Sequence, residues 1–170
     1  MFVFGTADDV FAMAVRIEEN GRTFYTGAVE KSDDPAIKKL FQDLSLMEEA
    51  HIKTFRALRG RLPGSAPADS VWDPEGLAES YLQAVADTHI FTAEAAQVRL
   101  AEVATPVEAL EMALQFEKDS MAFFTGMKEI LPDAAGRSQI DALILQEMDH
   151  YRMLTAAKKR LELGGKPAVA

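Results

Sequence analysis

The chain repeats itself. A shift of 99 residues, the spacing from His51 to His150, lays Glu18 on Glu117, Phe24 on Phe123, Tyr25 on Phe124 and Thr26-Gly27 on Thr125-Gly126. The same shift lays Met13-Ala14 on Met112-Ala113, Leu44 and Leu46 on Leu143 and Leu145, Glu48 on Glu147 and His51 on His150, without a gap. Any two amphipathic helical hairpins share leucines and alanines. They do not share glutamates, histidines and a mid-helix glycine at one offset, so one supersecondary unit is present twice.

The unit is helical. Apolar residues recur at steps of three and four, and strand alternation is absent. Four long helices are expected over about 7–31, 35–59, 106–131 and 134–163. Thr6 with Asp9, and Thr105 with Glu108, read as capping boxes, and Pro106 suits the first helical position. Asp34-Pro35 opens the second helix, Pro132 stops the third, and Gly164-Gly165 ends the fourth. The apolar face of the second helix reads Leu40, Leu44, Met47, Phe55 and Leu58; that of the third reads Val107, Leu110, Leu114, Met121 and Phe124. Short connections near 32–34 and 132–133 make antiparallel neighbours. The connector over 60–105 is long, loop-like at first and helical in spacing from about Glu75 to Val103. The expected fold is therefore all-α: a four-helix bundle of two antiparallel hairpins joined by a long, partly helical crossover, one domain over residues 1–170.

Two of the three histidines follow a glutamate by three residues, in Glu48-Glu49-Ala50-His51 and Glu147-Met148-Asp149-His150. Residues three apart share a helix face, so each pair reaches one point in space. Leu44 and Met47 border the first pair; Ile144, Tyr151 and Leu154 border the second. Glu18, between Ala14 and Gly21, and Glu117, between Leu114 and Met121, lie on the inward stripes of the other two long helices. Four buried carboxylates repel one another and cannot all stay ionised alone. No Lys or Arg lies on these stripes, whereas two divalent cations balance the four charges. One Glu from each of two helices and Glu-x-x-His from each of two others is the donor pattern of bundle di-iron and di-manganese sites. Carboxylate with imidazole suits iron or manganese better than calcium or magnesium, and zinc is also accommodated.

The pattern of Glu18 and Tyr25, Glu48 and His51, Glu117 and Phe124, then Glu147 and His150 resembles the ferritin-like di-iron carboxylate proteins, and most of all their rubrerythrin branch. The resemblance implies two iron ions, with Glu48 and Glu147 bridging, Glu18 and Glu117 terminal, and His51 and His150 each completing one metal. It matches Tyr25 to a tyrosine that hydrogen-bonds a ligand, while the helical spacing reads equally well as an aromatic core residue there. Three features depart from that family. Without cysteine the sequence carries no rubredoxin-type iron. Ser120 stands where rubrerythrins carry a further glutamate, and the connector is long.

The absence of cysteine also excludes a disulfide scaffold, a thiolate zinc site and a thiol nucleophile. The net charge of -9 argues against a nucleic-acid partner. Residues 1–4 are apolar but are followed at once by Gly5, Asp8 and Asp9, unlike a signal peptide, and no stretch is long enough for a membrane span. A cytoplasmic protein is expected, with a homodimer as the default assembly. Three functions remain open. The resemblance favours reduction of hydrogen peroxide or dioxygen, an oxidative-stress role, with electrons from an external donor such as rubredoxin. A ferroxidase would take Fe(II) as substrate. A non-catalytic metal-binding bundle would serve as an interaction module. Of the remaining residues, His89 reads as a surface or packing residue, Glu19 and Glu49 as solvated, and Gly27 and Gly126 as points of close helix packing.

Overall fold

The computed structural model describes residues 6–62, 75–88, 93–131 and 136–164. Among these residues the secondary structure is helical: α1 (Ala7–Ala28), α2 (Pro35–Arg59), α3 (Leu77–Thr88), α4 (Ala93–Glu102), α5 (Pro106–Ile130) and α6 (Arg137–Glu162). A 3-10 turn, Val29–Lys31, tightens the end of α1, so the expected first helix ends in a different helical form. His89, Pro132, Ala134 and the tail after Gly164 lie outside the described residues.

Local chemistry sets the helix ends. Thr6 Oγ1 accepts from the Asp9 amide at 3.2 Å, and Asp9 Oδ2 accepts from the Thr6 amide at 3.0 Å. Thr105 and Glu108 make the same reciprocal pair at 3.2 and 3.1 Å. Asp34 Oδ1 accepts from the amides of Ala36 and Ile37, and Pro35 fills the first helical position, where no amide is missed. Past α6, Gly164 takes a φ of 68°, the left-handed turn that glycine adopts without strain.

The architecture is a bundle of two helical hairpins. α1 packs on α2 and α5 on α6 as hairpins; α1 meets α5 and α2 meets α6 across them. Among its described residues the connector forms two helices, one for each hairpin: α3 packs on α5 and α4 on α1. Both contacts fall on the repeated glycines. A Cβ on Gly126 would lie 2.5 Å from Tyr81 Cε1, and one on Gly27 would lie 2.7 Å from Leu100 Cδ2. Absent side chains let α3 and α4 approach closely.

The buried apolar residues form two clusters. One holds Phe11, Phe55, Phe123, Phe124 and Met127; the other holds Phe24, Tyr25, Phe41, Leu44, Leu110 and Leu154. On α1, α2 and α6 the passage from one cluster to the other falls at the conspicuous glutamates and histidines. The polar residues thus occupy the middle of the bundle between two aromatic layers.

Two expected stripes hold in part: Leu44, Phe55 and Leu58 on α2 and Leu110 and Phe124 on α5 are buried as expected. On α5, Leu114 and Met121 are half-buried, while Ala113, Phe116, Ser120 and Phe123 are inward. On α2, Met47 is 37% exposed and Leu40 half-buried, while Ile37 and Phe41 are buried. α5 touches α1, α3 and α6, so its contact face is wider than one stripe.

Candidate metal centre

Four helices bring six side chains to one point. Glu18 comes from α1, Glu48 and His51 from α2, Glu117 from α5, and Glu147 and His150 from α6; each is at most 2% exposed. They form two overlapping groups, Glu18–Glu48–His51–Glu147 and Glu48–Glu117–Glu147–His150. Within each group one donor atom per residue lies within 4.8 Å of the others, and Glu48 and Glu147 belong to both.

Both imidazoles present Nδ1. His51 Nδ1 is 2.8 Å from Glu147 Oε1 and 3.3 Å from Glu18 Oε2. His150 Nδ1 is 3.2 Å from Glu147 Oε2 and 3.4 Å from Glu48 Oε1. The rings stack with centroids 5.2 Å apart and planes 12° from parallel. Despite these approaches, both Nδ1 atoms and the carboxylate oxygens of Glu18, Glu48 and Glu147 lack a partner with hydrogen-bond geometry, as does Glu117 Oε2. Buried polar atoms are rarely left so. Here the lone pairs converge on shared points instead of meeting donors, which is how a metal's ligands are arranged. Oxygen and imidazole donors in this ratio fit iron or manganese, so the donor set passes the chemical test for a two-metal site.

The electrostatics agree. Burial, then the charge of Glu147, pushes the Glu18 carboxyl well above its ordinary range. Burial acts likewise on Glu48, reinforced by Glu18 and Glu147, and on Glu117, reinforced by Glu147. Burial would also raise Glu147, but its contacts with His150 and His51 outweigh that and hold it low. Burial would lower both imidazoles; the facing carboxylates outweigh it and raise them. In the metal-free protein, protons therefore supply the positive charge that cations would otherwise supply.

Tyr25, fully buried, donates from its hydroxyl to Glu117 Oε1. The bond runs from α1 to α5, from one repeat to the carboxylate of the other. A family model for rubrerythrin matches residues 9–158.

The chain belongs to the rubrerythrin family.

A solved structure agrees in fold. A protein described as ferritin-like and diiron-carboxylate, from Thermotoga maritima, superposes with a TM-score of 0.62 at 23% identity, covering 91% of this chain and 95% of that one. No curated protein matches the chain. Within the rubrerythrin family's donor arrangement this chain has features of its own. Ser120, where the resemblance leads one to expect a further glutamate, is 2% exposed and its hydroxyl has no hydrogen-bond partner. Glu19 and Glu49 point outward as expected, and pair with Arg56 at 2.5 Å and Lys53 at 2.8 Å. The sequence did not single out Gln146, whose Oε1 lies 2.8 Å from His51 Nε2. Its one signal there is a break in the repeat, since the shift of 99 pairs Gln146 with Met47. No described helix is long and apolar enough to cross a membrane.

Proposed function

We propose that this rubrerythrin-family chain holds two iron ions at the six-residue cluster and reduces hydrogen peroxide, or dioxygen, with electrons from an external donor such as rubredoxin. The observation that carries the reading is the overlap of two buried donor groups sharing Glu48 and Glu147. In this reading Glu48 and Glu147 would be shared by both metals, Glu18 with His51 would hold one, and Glu117 with His150 would hold the other. Iron bound there would supply the two electrons that, with two protons, reduce one peroxide to two waters.

The chain's own residues provide the setting. Aromatic layers above and below, with Phe116, Phe24 and Phe55 among them, exclude bulk water from the carboxylates. Tyr25 fixes the orientation of Glu117 by hydrogen bonding one oxygen, leaving Oε2 for the metal. The family match supports redox chemistry at oxygen over a purely structural metal.

The test loads metal-free protein anaerobically with two Fe(II), then mixes it separately with peroxide and with dioxygen while following the absorbance of the oxidised centre. A much faster reaction with peroxide is expected. Sustained oxidation of excess Fe(II) would instead make iron the substrate. Failure to take up two irons, or unchanged uptake in Glu48→Ala and Glu147→Ala, removes the site assignment.

A further inference from the structure

His51 and His150 hold the same place in the two repeats, and each turns Nδ1 toward the carboxylates. On the far side of its ring, His51 meets a residue the repeat does not conserve between its two copies. Gln146 Oε1 lies 2.8 Å from His51 Nε2, a contact made from α6 to α2. The shift of 99 puts Met47 in the corresponding position. The two halves share all six donors and differ in what stands at this position.

The difference has a chemical consequence. A metal at Nδ1 needs the lone pair there, so the ring proton must sit on Nε2. That N–H needs an acceptor, and the side-chain oxygen of a glutamine is a good one, whereas a thioether accepts weakly. Gln146 directly precedes Glu147, about 100° away around the same helix. The turn of α6 that delivers Glu147 to the centre therefore delivers the amide to the histidine on α2. A bond of this kind fixes the tautomer and ring orientation of a metal-binding histidine and raises its basicity.

We propose that Gln146 is a positioning residue for the metal position formed by Glu18, Glu48, His51 and Glu147, and that it makes the two metal positions unequal in affinity. The inference rests on the two-metal reading given above. It assigns to Gln146 no contact with substrate or metal.

The test compares wild type, Gln146→Met and Gln146→Glu, each titrated with zinc or cobalt(II) against a competing chelator to obtain both stepwise affinities. Two-dimensional 15N NMR of the histidine rings in the zinc-loaded protein reads the tautomer of His51. Two unequal steps are expected for wild type. Gln146→Met weakens one step about 10- to 100-fold, leaves the other unchanged, and alters the His51 ring signals. Gln146→Glu, which keeps an oxygen acceptor, retains both the affinity and the wild-type ring pattern. Three results overturn the proposal while two metals still bind: neither step changes in Gln146→Met, both steps fall together, or Gln146→Glu is as weak as Gln146→Met. If wild type itself does not take up two metals, the two-metal reading fails first, and the titration shows that separately.

Discussion

Tyr25 on α1 hydrogen-bonds Glu117 on α5, so the first repeat contributes to the setting of the second repeat's carboxylate. The repeat places Phe124 where a second tyrosine would stand, and Glu18 has no hydrogen-bond partner for either oxygen. Two carboxylates related by the repeat thus differ in environment. Burial, and then the charge of Glu117, pushes the Tyr25 phenol up, so it stays protonated and serves as a donor.

Tyr25→Phe keeps the ring and removes only the donor. The variant is expected to lose about 1–2 kcal/mol of stability, measured by urea unfolding of the metal-free protein. In metal titrations it should alter the step assigned to Glu117 and His150 more than the other. Equal changes in both steps would show that the hydroxyl does not act locally.

Glu48→Ala and Glu147→Ala remove the residues common to both donor groups. Each is expected to abolish uptake of a second metal while the helical circular-dichroism signal persists. The reason is that each carboxylate serves both groups, whereas the apolar clusters above and below it remain. Glu18→Ala should lose one metal and retain one.

The metal-free protein should become less stable as pH rises. Glu18, Glu48 and Glu117 have folded values raised well above the ordinary 4.5. The stability they confer is present below that value and is lost as pH climbs toward the raised one. His51 and His150 are raised above the ordinary 6.5, so their contribution is likewise full below 6.5 and fades above it. Glu147, held low, acts oppositely, and its contribution is lost only in acid below its ordinary 4.5. Thermal melts should therefore fall between pH 5 and pH 8 without metal. With metal, the trend should reverse, because the cation displaces those protons and binds more tightly at higher pH. Parallel pH trends with and without metal would count against the cluster as the titrating unit.

The two repeated glycines should respond differently to alanine. At Gly126 the added carbon meets the Tyr81 ring at 2.5 Å and Leu82 at 3.0 Å. Tyr81 is also held by its bond to the Ala122 carbonyl at 3.0 Å. Gly126→Ala is expected to cost about 1–3 kcal/mol through the displaced ring. At Gly27 the obstacle is the flexible end of Leu100. The helix-propensity gain of about 1 kcal/mol offsets it, leaving Gly27→Ala near neutral. Urea unfolding of the two variants checks the contrast.

The bundle was legible because its signals are local or periodic. Asp34-Pro35 opens α2 where expected, and both capping boxes form as their residues suggest. Glu-x-x-His is itself local, since three residues of helix fix both side chains on one face. The α5 stripe was less legible. Val107, Leu114 and Met121 are apolar yet only half-buried, because apolar residues on that helix nearly encircle it and its contacts with α1, α3 and α6 choose among them. Met47 was misplaced for a similar reason, standing beside buried Glu48 on the sequence but turned about 100° from it.

The sequence by itself determined the helices, the repeat, the rubrerythrin-like pattern of donors and the need for a compensating charge among buried carboxylates. Those follow from spacing along one chain and from the cost of burying charge. Only the tertiary structure decided that Tyr25 meets Glu117, that Gln146 meets His51, and that α3 and α4 seat on Gly126 and Gly27. Each is a contact between side chains on different helices. Its existence depends on the rotation and approach of those helices, which packing sets and which no spacing within one helix records.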